Sequence, residues 1–340
     1  MINPNVITVI RKLLLPVSWL YGSVMRWRNW LYDNNVLKIY SPPVKSICVG
    51  NLSVGGTGKT PLTDWLIKYL SDKYQVAVLS RGYGRLTHGF YQVRENSTAQ
   101  QVGDEPLMLK IKNPKTIVAV CEDRIKGTKQ LLKENSDIDC IIYDDAMQHR
   151  SIKAGLTIML TPYHSLYLDD NMLPTGNLRE PACGAKRADI IIVSKCPKEP
   201  DMQALKKRIG REDIIFSYIK YSQPIDTTGN LVELNGKAII LTGIAKPEPL
   251  INFLEEKEIT ITDIIIFPDH YQFTEKDLLY LHSRSKYVDF IITTEKDYCR
   301  LKTIQNYKLI SDKIVLMPIT TKFLNPEIIT SKIDNYVSKN

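Results

Sequence analysis

Residues 49–60 read VGNLSVGGTGKT, a glycine-rich run that closes on Gly58, Lys59 and Thr60. The phosphate-loop pattern G-x-x-x-x-G-K-[ST] asks for glycine where this chain has Ser53. The flanks answer whether the run is such a loop. Ile47, Cys48 and Val49 form a β-type entry. Leu62, Trp65, Leu66, Tyr69 and Leu70 then recur at i, i+3, i+4, i+7 and i+8, one face of a helix. Pro61 falls in the first turn, where a missing N–H costs nothing. Strand, loop and helix therefore follow in the order a phosphate cradle requires. Loop amides and the positive helix end hold phosphate oxygens, Lys59 reaches the terminal phosphates, and the Thr60 hydroxyl suits Mg²⁺. Ser53, Val54, Gly55, Gly56, Thr57, Gly58, Lys59 and Thr60 are the expected nucleotide-binding residues. Serine at 53 means only that this position needs no glycine conformation.

A second element belongs with the loop. DIDCIIYDD, residues 137–145, is an apolar strand ending in Asp144 and Asp145, the form in which a carboxylate holds Mg²⁺ beside a phosphate loop. GGTGKT resembles the deviant loop of dimeric partitioning ATPases, but Val54 stands where those carry their signature lysine. Guanine recognition usually needs [NT]-K-x-D, and the nearest run, Ser194-Lys-Cys-Pro197, ends in proline. ATP is the expected nucleotide.

Further reactive side chains gather in short runs with loop character. SRGYGR offers Arg81, Tyr83 and Arg85 around two glycines, and two arginines suit phosphate. GDEP places Asp104 and Glu105 before a proline, and QHR brings Gln148 and His149 after the paired acids. LREP gives Arg179 and Glu180 another turn before proline. FPDHYQF puts Asp269 and His270 at the C-terminal end of an apolar strand, where open α/β sheets bind ligands. Each has a plainer reading as well. Asp104 and Glu105 suit a helix start, Arg179 and Glu180 a surface pair, and His270 an ordinary turn. Thr274 with Asp277, and Thr294 with Asp297, match capping boxes.

The 340 residues carry a net charge of +8, of which residues 1–45, with six basic groups and one acidic, supply +5. Trp19, Trp27 and Trp30 alternate there with Arg26 and Arg28. Rings at headgroup level with cations on anionic lipid describe an interfacial segment, whereas a packed helix is the plainer alternative. The uncharged run 13–25 is too short to span a bilayer, and no small-residue cleavage site follows. The expected partner is a membrane surface, not nucleic acid, and no obligate protein partner is inferred. Six scattered cysteines without a C-x-x-C pair fit reduced thiols.

In order, VGNLSVGGTGKTP, SRGYGR, GDEP, DDAMQH, LREP, DH before FT, and TTEKD resemble the tetraacyldisaccharide 4′-kinase family, the lipid A kinases, over nearly the whole chain. Departures are Ala146, where glycine is frequent, and Asn177, where proline is common. The resemblance implies phosphoryl transfer from ATP to the 4′-hydroxyl of a tetraacylated glucosamine disaccharide 1-phosphate, at the cytoplasmic face of the bacterial inner membrane. It implies Asp104 as the base, with His270 orienting it and sharing its proton. Mg²⁺ is then expected on Thr60, Asp144 and Glu180. Asp145, Gln148, His149 and Glu105 stand close by, and Arg81, Tyr83 and Arg179 contact nucleotide or sugar phosphate. A membrane-associated ATPase or GTPase switch acting on a protein is the rival; it explains neither GDEP nor DH.

The expected fold is α/β: a P-loop NTPase-like, mostly parallel sheet domain plus a smaller C-terminal α/β domain, preceded by an amphipathic, membrane-associated helix. Residues 1–40 are the interfacial segment, 41–222 the kinase domain and 223–340 the smaller domain. The turn-rich run 223–234 is the expected crossing. On that division the active-site cleft takes Asp104 from one domain and His270 from the other.

Overall fold

The computed structural model describes residue 11, residues 13–257 and residues 259–338. The first ten residues and Lys12 of the expected interfacial segment lie outside the described residues.

Two compact units share the chain, and it passes between them four times. Helix α1 (Leu15–Asp33), strand β1 (Lys45–Gly50), helix α2 (Lys59–Leu70) and strand β2 (Val76–Ser80) open the first unit. Residues Gly82–Val120 belong to the second, with β3 (Tyr91–Gln92), α3 (Ala99–Val102), α4 (Asp104–Lys112) and β4 (Ile117–Val120). The first unit resumes at Cys121 with α5 (Arg124–Glu134), β5 (Cys140–Asp144), β6 (Leu156–Pro162), β7 (Ile190–Ser194) and α6 (Met202–Ile209). Strand β8 (Ile215–Tyr221) leads out again to β9 (Gly236–Thr242), α7 (Glu248–Glu255), β10 (Ile259–Ile266), α8 (Glu275–Ser285), β11 (Phe290–Thr294), α9 (Glu295–Leu301) and β12 (Ile314–Met317). Strand β13 (Ile319–Phe323) returns to α10 (Pro326–Val337).

This differs from three contiguous blocks. Segment 82–120, expected with the P-loop, belongs to the second unit, and the chain from Thr321 onward returns to the first. The chain crosses between Ile219 and Lys220, and the run 223–234 follows directly. It is a local turn in which Asp226 accepts from the Thr228 and Asn230 amides, while Ile225 pairs with Leu231 and Leu316. Turn residues announce a reversal of the chain, and nothing in their chemistry marks a change of unit.

Within the first unit the strands run β13-β8-β7-β6-β1-β5-β2. Strand β1 pairs in parallel with β5 and β6, β5 with β2, and β7 with β6 and β8. Strands β2, β5 and β7 are buried at every residue, without alternation. That is the burial of a parallel sheet covered on both faces, and it explains their runs of Ile and Val. The register sets Val49 opposite Asp144, so the phosphate loop and the first of the paired acids leave the sheet together.

The second unit holds a parallel sheet ordered β10-β9-β11-β12. Leu241, Ile291, Ile314 and Leu316 meet Leu278 and Leu281 of α8 on one face. Ala238, Ile240, Ile292, Val315 and Met317 meet Leu250 and Leu254 of α7 on the other. Strand β10 lies at the edge and accordingly alternates half-buried and exposed residues. Thr274 and Asp277 form the expected capping box at the start of α8. Leu278→Ala should remove about 2–5 kcal/mol from the unfolding free energy of this unit. Urea unfolding followed by circular dichroism checks it, and a loss under about 1 kcal/mol would mean that the site collapses around the deletion.

Candidate active site

The phosphate loop is built as its sequence implies. Gly58 caps α2 with φ 95°, a left-handed conformation open to glycine at little cost. Ser53, in contrast, forms an antiparallel bridge with Leu178, flanked by Val54 N to Asn177 O at 2.8 Å and Arg179 N to Leu52 O at 2.8 Å. A pairing residue suits that place, so serine there serves the loop. From the end of β7, Ser194 Oγ donates to Thr57 O at 2.7 Å and Lys195 Nζ to Gly56 O at 2.6 Å.

Beneath the loop lies Asn51, a residue that the phosphate-loop pattern does not include. It is wholly buried, and its side-chain amide donates to Ser53 O at 2.7 Å. Its carbonyl oxygen accepts from Lys59 Nζ at 3.2 Å and from Arg179. Arg179 also grips Asp145 with both terminal nitrogens, at 3.1 and 2.8 Å, and Lys59 lies 3.7 Å from the same carboxylate. Burial opposes the charge on Asp145, but Lys59 and Arg179 overcome it and hold the pKa down to about 2. Asp145 adopts φ 51°, a left-handed conformation that aspartate tolerates better than most residues.

Asp144 is 1% exposed and accepts from Thr63 Oγ1 at 3.2 Å and Ser80 Oγ at 3.4 Å. The buried Arg124 guanidinium reaches Cys121 O and the Asp144 backbone oxygen at 2.6 and 3.3 Å. His149 is driven down to about 4 by burial and by the charges of Arg124 and Arg81, so its imidazole is neutral at physiological pH.

Glu180 lies at the junction of several elements. Its carboxylate, 1% exposed, accepts from Arg187 at 2.7 and 2.8 Å, from Gln148 Nε2 at 3.0 Å and from Asn29 at 3.4 Å. Gln148 uses the same nitrogen to hold Asn51 O at 2.6 Å. With those donors gathered on its oxygens, Glu180 ties α1, the loop and the LREP turn together. Among the described residues no group of three or more His, Cys, Asp or Glu converges to hold a metal. Thr60 and Asp144 remain the hard oxygen donors beside the loop. That is a donor set of the kind Mg²⁺ uses when phosphates and water complete its shell.

The second cluster lies wholly within the second unit. The expected cleft draws Asp104 and His270 from different domains, but both belong to this unit, with Asp104 Oδ2 and His270 Nδ1 2.9 Å apart. Asp104 opens α4 after Gly103, whose φ is 90°. A Cβ at Gly103 would meet Tyr83 O at 3.1 Å and Gly82 Cα at 3.2 Å, so GDEP and SRGYGR pack backbone against backbone. The Tyr83 ring stands edge-on to His270 at 5.5 Å, with Tyr83 otherwise largely exposed. His270 adopts φ 58° just beyond the end of β10.

Burial works against the Asp104 carboxylate, yet the His270 hydrogen bond, Lys296 and Arg300 together hold its pKa below the ordinary value. Its hydrogen bond to Asp104 raises His270, and partial burial offsets this only in part. In the TTEKD motif Thr294 caps α9 through the Asp297 amide, which is one half of the expected capping box. The Asp297 carboxylate, fully buried, turns to the Thr294 hydroxyl, the Gly243 amide and Arg300. Arg300 in turn donates to Tyr271 O and Gly243 O at 3.1 and 3.0 Å. Among the remaining site residues, Arg81 is exposed beside the first cluster and Glu105 borders the second.

The model for tetraacyldisaccharide-1-P 4′-kinase matches residues 10–338. The chain belongs to this family. A tetraacyldisaccharide 4′-kinase of Flavobacterium psychrophilum is 41% identical over 96% of this chain and 97% of its own length. That of Flavobacterium johnsoniae is 44% identical over 93% and 94%. The crystal structure of an "apo" form of LpxK from Aquifex aeolicus in complex with ATP superposes with a TM-score of 0.76 at 28% identity, covering 96% of this chain and 99% of that one. The α/β architecture with a large, mostly parallel sheet is thus that of the tetraacyldisaccharide-1-P 4′-kinases.

Arg187→Met in this kinase should cost about 3–5 kcal/mol, because it leaves the buried Glu180 carboxylate without its cation. Adding Glu180→Gln should recover most of the loss. Thermal unfolding of the single and double variants checks both, and an undiminished melting temperature in Arg187→Met would contradict the anchoring role.

Proposed function

We propose that this chain transfers the γ-phosphate of ATP to the 4′-hydroxyl of a tetraacylated glucosamine disaccharide 1-phosphate, the step that gives the 4′-phosphorylated lipid A precursor. The observation that carries the reading is the Asp104–His270 pair at 2.9 Å, in a chain that also has a complete phosphate loop. A nucleotide switch needs the loop alone; a kinase with a weakly nucleophilic sugar hydroxyl gains from a positioned base.

In this reading the amides of residues 53–58 and the N-terminal end of α2 hold the β- and γ-phosphates. Lys59 swings from Asn51 and Asp145 to the transferring group, whose charge it offsets. Asp145, Arg179 and Asn51 hold Lys59 ready, and Gln148 and Glu180 fix the backbone beneath them. Thr60, Asp144 and Glu180 would hold Mg²⁺, which supplies charge neutralisation on the phosphate oxygens. Asp104 takes the proton of the 4′-hydroxyl while His270 Nδ1–H steadies its carboxylate. Arg81 and Tyr83 border the sugar or nucleotide phosphates.

The lipid acceptor calls for a surface, and α1 offers one. The helix buries Ser18, Gly22 and Asn29 and leaves Trp19, Leu20, Trp27 and Trp30 between 55 and 72% exposed. No helix among the described residues is long and apolar enough to cross a membrane. Helix α1 lies in the interface of the cytoplasmic leaflet with its tryptophans at headgroup depth. Trp19→Ser with Trp27→Ser should weaken co-sedimentation with anionic vesicles several-fold without altering the melting temperature. Unchanged co-sedimentation would remove α1 from this role.

Incubation with labelled ATP and a tetraacyl disaccharide 1-phosphate tests the reaction. Label in the lipid is expected; acceptor-independent hydrolysis alone would favour the switch. Asp104→Ala and His270→Ala should each lower kcat by about 10²–10⁴-fold with ATP still bound. The double variant should fall little below the worse single, since the two act as a unit. With His270 raised above its ordinary 6.5, kcat should decline as pH falls through that raised value, because an imidazolium beside Asp104 makes it a weaker base. A flat profile from about pH 6 to 9 would contradict this.

A further inference from the structure

TTEKD is the one motif that the phosphate loop and the base leave without a task, and its lysine holds an unusual position. Lys296 is 17% exposed. Its ammonium lies 3.2 Å from Asp269 Oδ1, 3.6 Å from Glu105 Oε1 and 3.8 Å from Asp104 Oδ2. It is also 3.4 Å from His270 Nε2. Burial opposes its charge, but Asp104, Glu105 and Asp269 raise its pKa above the ordinary value, so the group is cationic.

An ammonium has three donors and no acceptor, so at Nε2 it meets a lone pair. An ionised carboxylate only accepts, so Nδ1 facing Asp104 Oδ2 at 2.9 Å carries the proton. Asp269 Oδ2 also faces Nε2, at 3.7 Å, but the Lys296 ammonium lies closer and itself binds Asp269, so both ends of the ring favour the same neutral tautomer. We propose that Lys296 is a positioning residue for the Asp104–His270 pair: by donating to Nε2 it keeps the ring proton on Nδ1, where it is given to Asp104, and leaves that carboxylate ionised for the acceptor hydroxyl. The inference rests on the kinase reading above.

The surroundings support this assignment. From α4, Asp104 and Glu105 face the ammonium; from the loop after β10, Asp269 and His270 do. On α9 itself Arg300 presents Nε 3.9 Å from Asp104 Oδ2, but its other nitrogens are taken by Asp297, Gly243 O and Tyr271 O. Glu295 is occupied by Lys112 at 2.8 Å. The Tyr83 ring stands edge-on to the imidazole. Arg300 thus secures the carboxylate from below, while Lys296 is the cation that reaches the far side of the ring.

Without Lys296 the imidazole loses the charge that disfavours its protonation, so its titration should move to higher pH. Full-length protein labelled with [¹⁵N]histidine gives five ring systems, and His270→Gln identifies the signal of interest. Wild type should show Nδ1 protonated and Nε2 bare at pH above the acid limb. In Lys296→Met the His270 titration and the acid limb of kcat should both move to higher pH. Below the limb, kcat should then fall by about tenfold if the midpoint rises by about one pH. The KM for ATP should stay within about twofold of wild type, since the nucleotide site is untouched. Lys296→Arg, which keeps a donor and a charge, should restore the limb. A merely structural ion pair would lower the melting temperature of Lys296→Met while leaving titration and limb in place, and that result would overturn the proposal. If wild type phosphorylated no acceptor, the kinase reading would fall, whereas a Lys296-dependent His270 titration would still uphold the tautomer.

Discussion

Everything in the nucleotide-handling unit depends on the parallel pairing of β1 with β5, and in particular on the register that sets Val49 opposite Asp144. Two buried strands leave the sheet at one level. The first therefore releases a glycine-rich loop and the second releases two carboxylates into the same space. Shifted by one residue, that pairing would turn side chains to the wrong faces of a sheet that is covered on both. The buried Ile and Val runs leave no room for such a slip.

Charge compensation organises what the register brings together. Asp145 is held by Arg179 and Lys59, Glu180 by Arg187, and Asp104 by His270 with Lys296 and Arg300 behind it. Glu180 and Asp104 are withdrawn from water, and each would be costly alone, while Asp145 keeps about a third of its side chain exposed. The cations have different consequences, however. Lys59 ends beside a phosphate loop and can change partner, whereas Arg187 and Arg300 donate to buried oxygens. Mobility of the charge distinguishes groups fitted for chemistry from groups fitted for holding it.

Much of this is legible in the chain. The strand–loop–helix order around GGTGKT and the helical spacing after Lys59 follow from local propensity and period, and the structure has both. GDEP and DH are legible as reactive turns. Asn51, Arg187, Lys296 and Arg300 do not stand out as site residues. Asn51 is hidden beside glycines that attract the eye, and Arg187 lies in a short 3₁₀ turn with no periodic signal. Lys296 and Arg300 belong to a short helix of a kind that carries such residues on its surface in any protein.

By itself, then, the sequence determined the phosphate loop, the paired acids, the α/β class and the family, because these rest on residue types at fixed short spacings. Only the tertiary structure decided that segment 82–120 joins the second unit, that Glu180 serves Arg187 and Gln148, and that Asp104 already faces His270. The reason is range. Local sequence governs backbone dihedrals and hydrogen bonds a few residues apart, while a carboxylate 166 positions from its imidazole is placed by the packing of whole helices and strands.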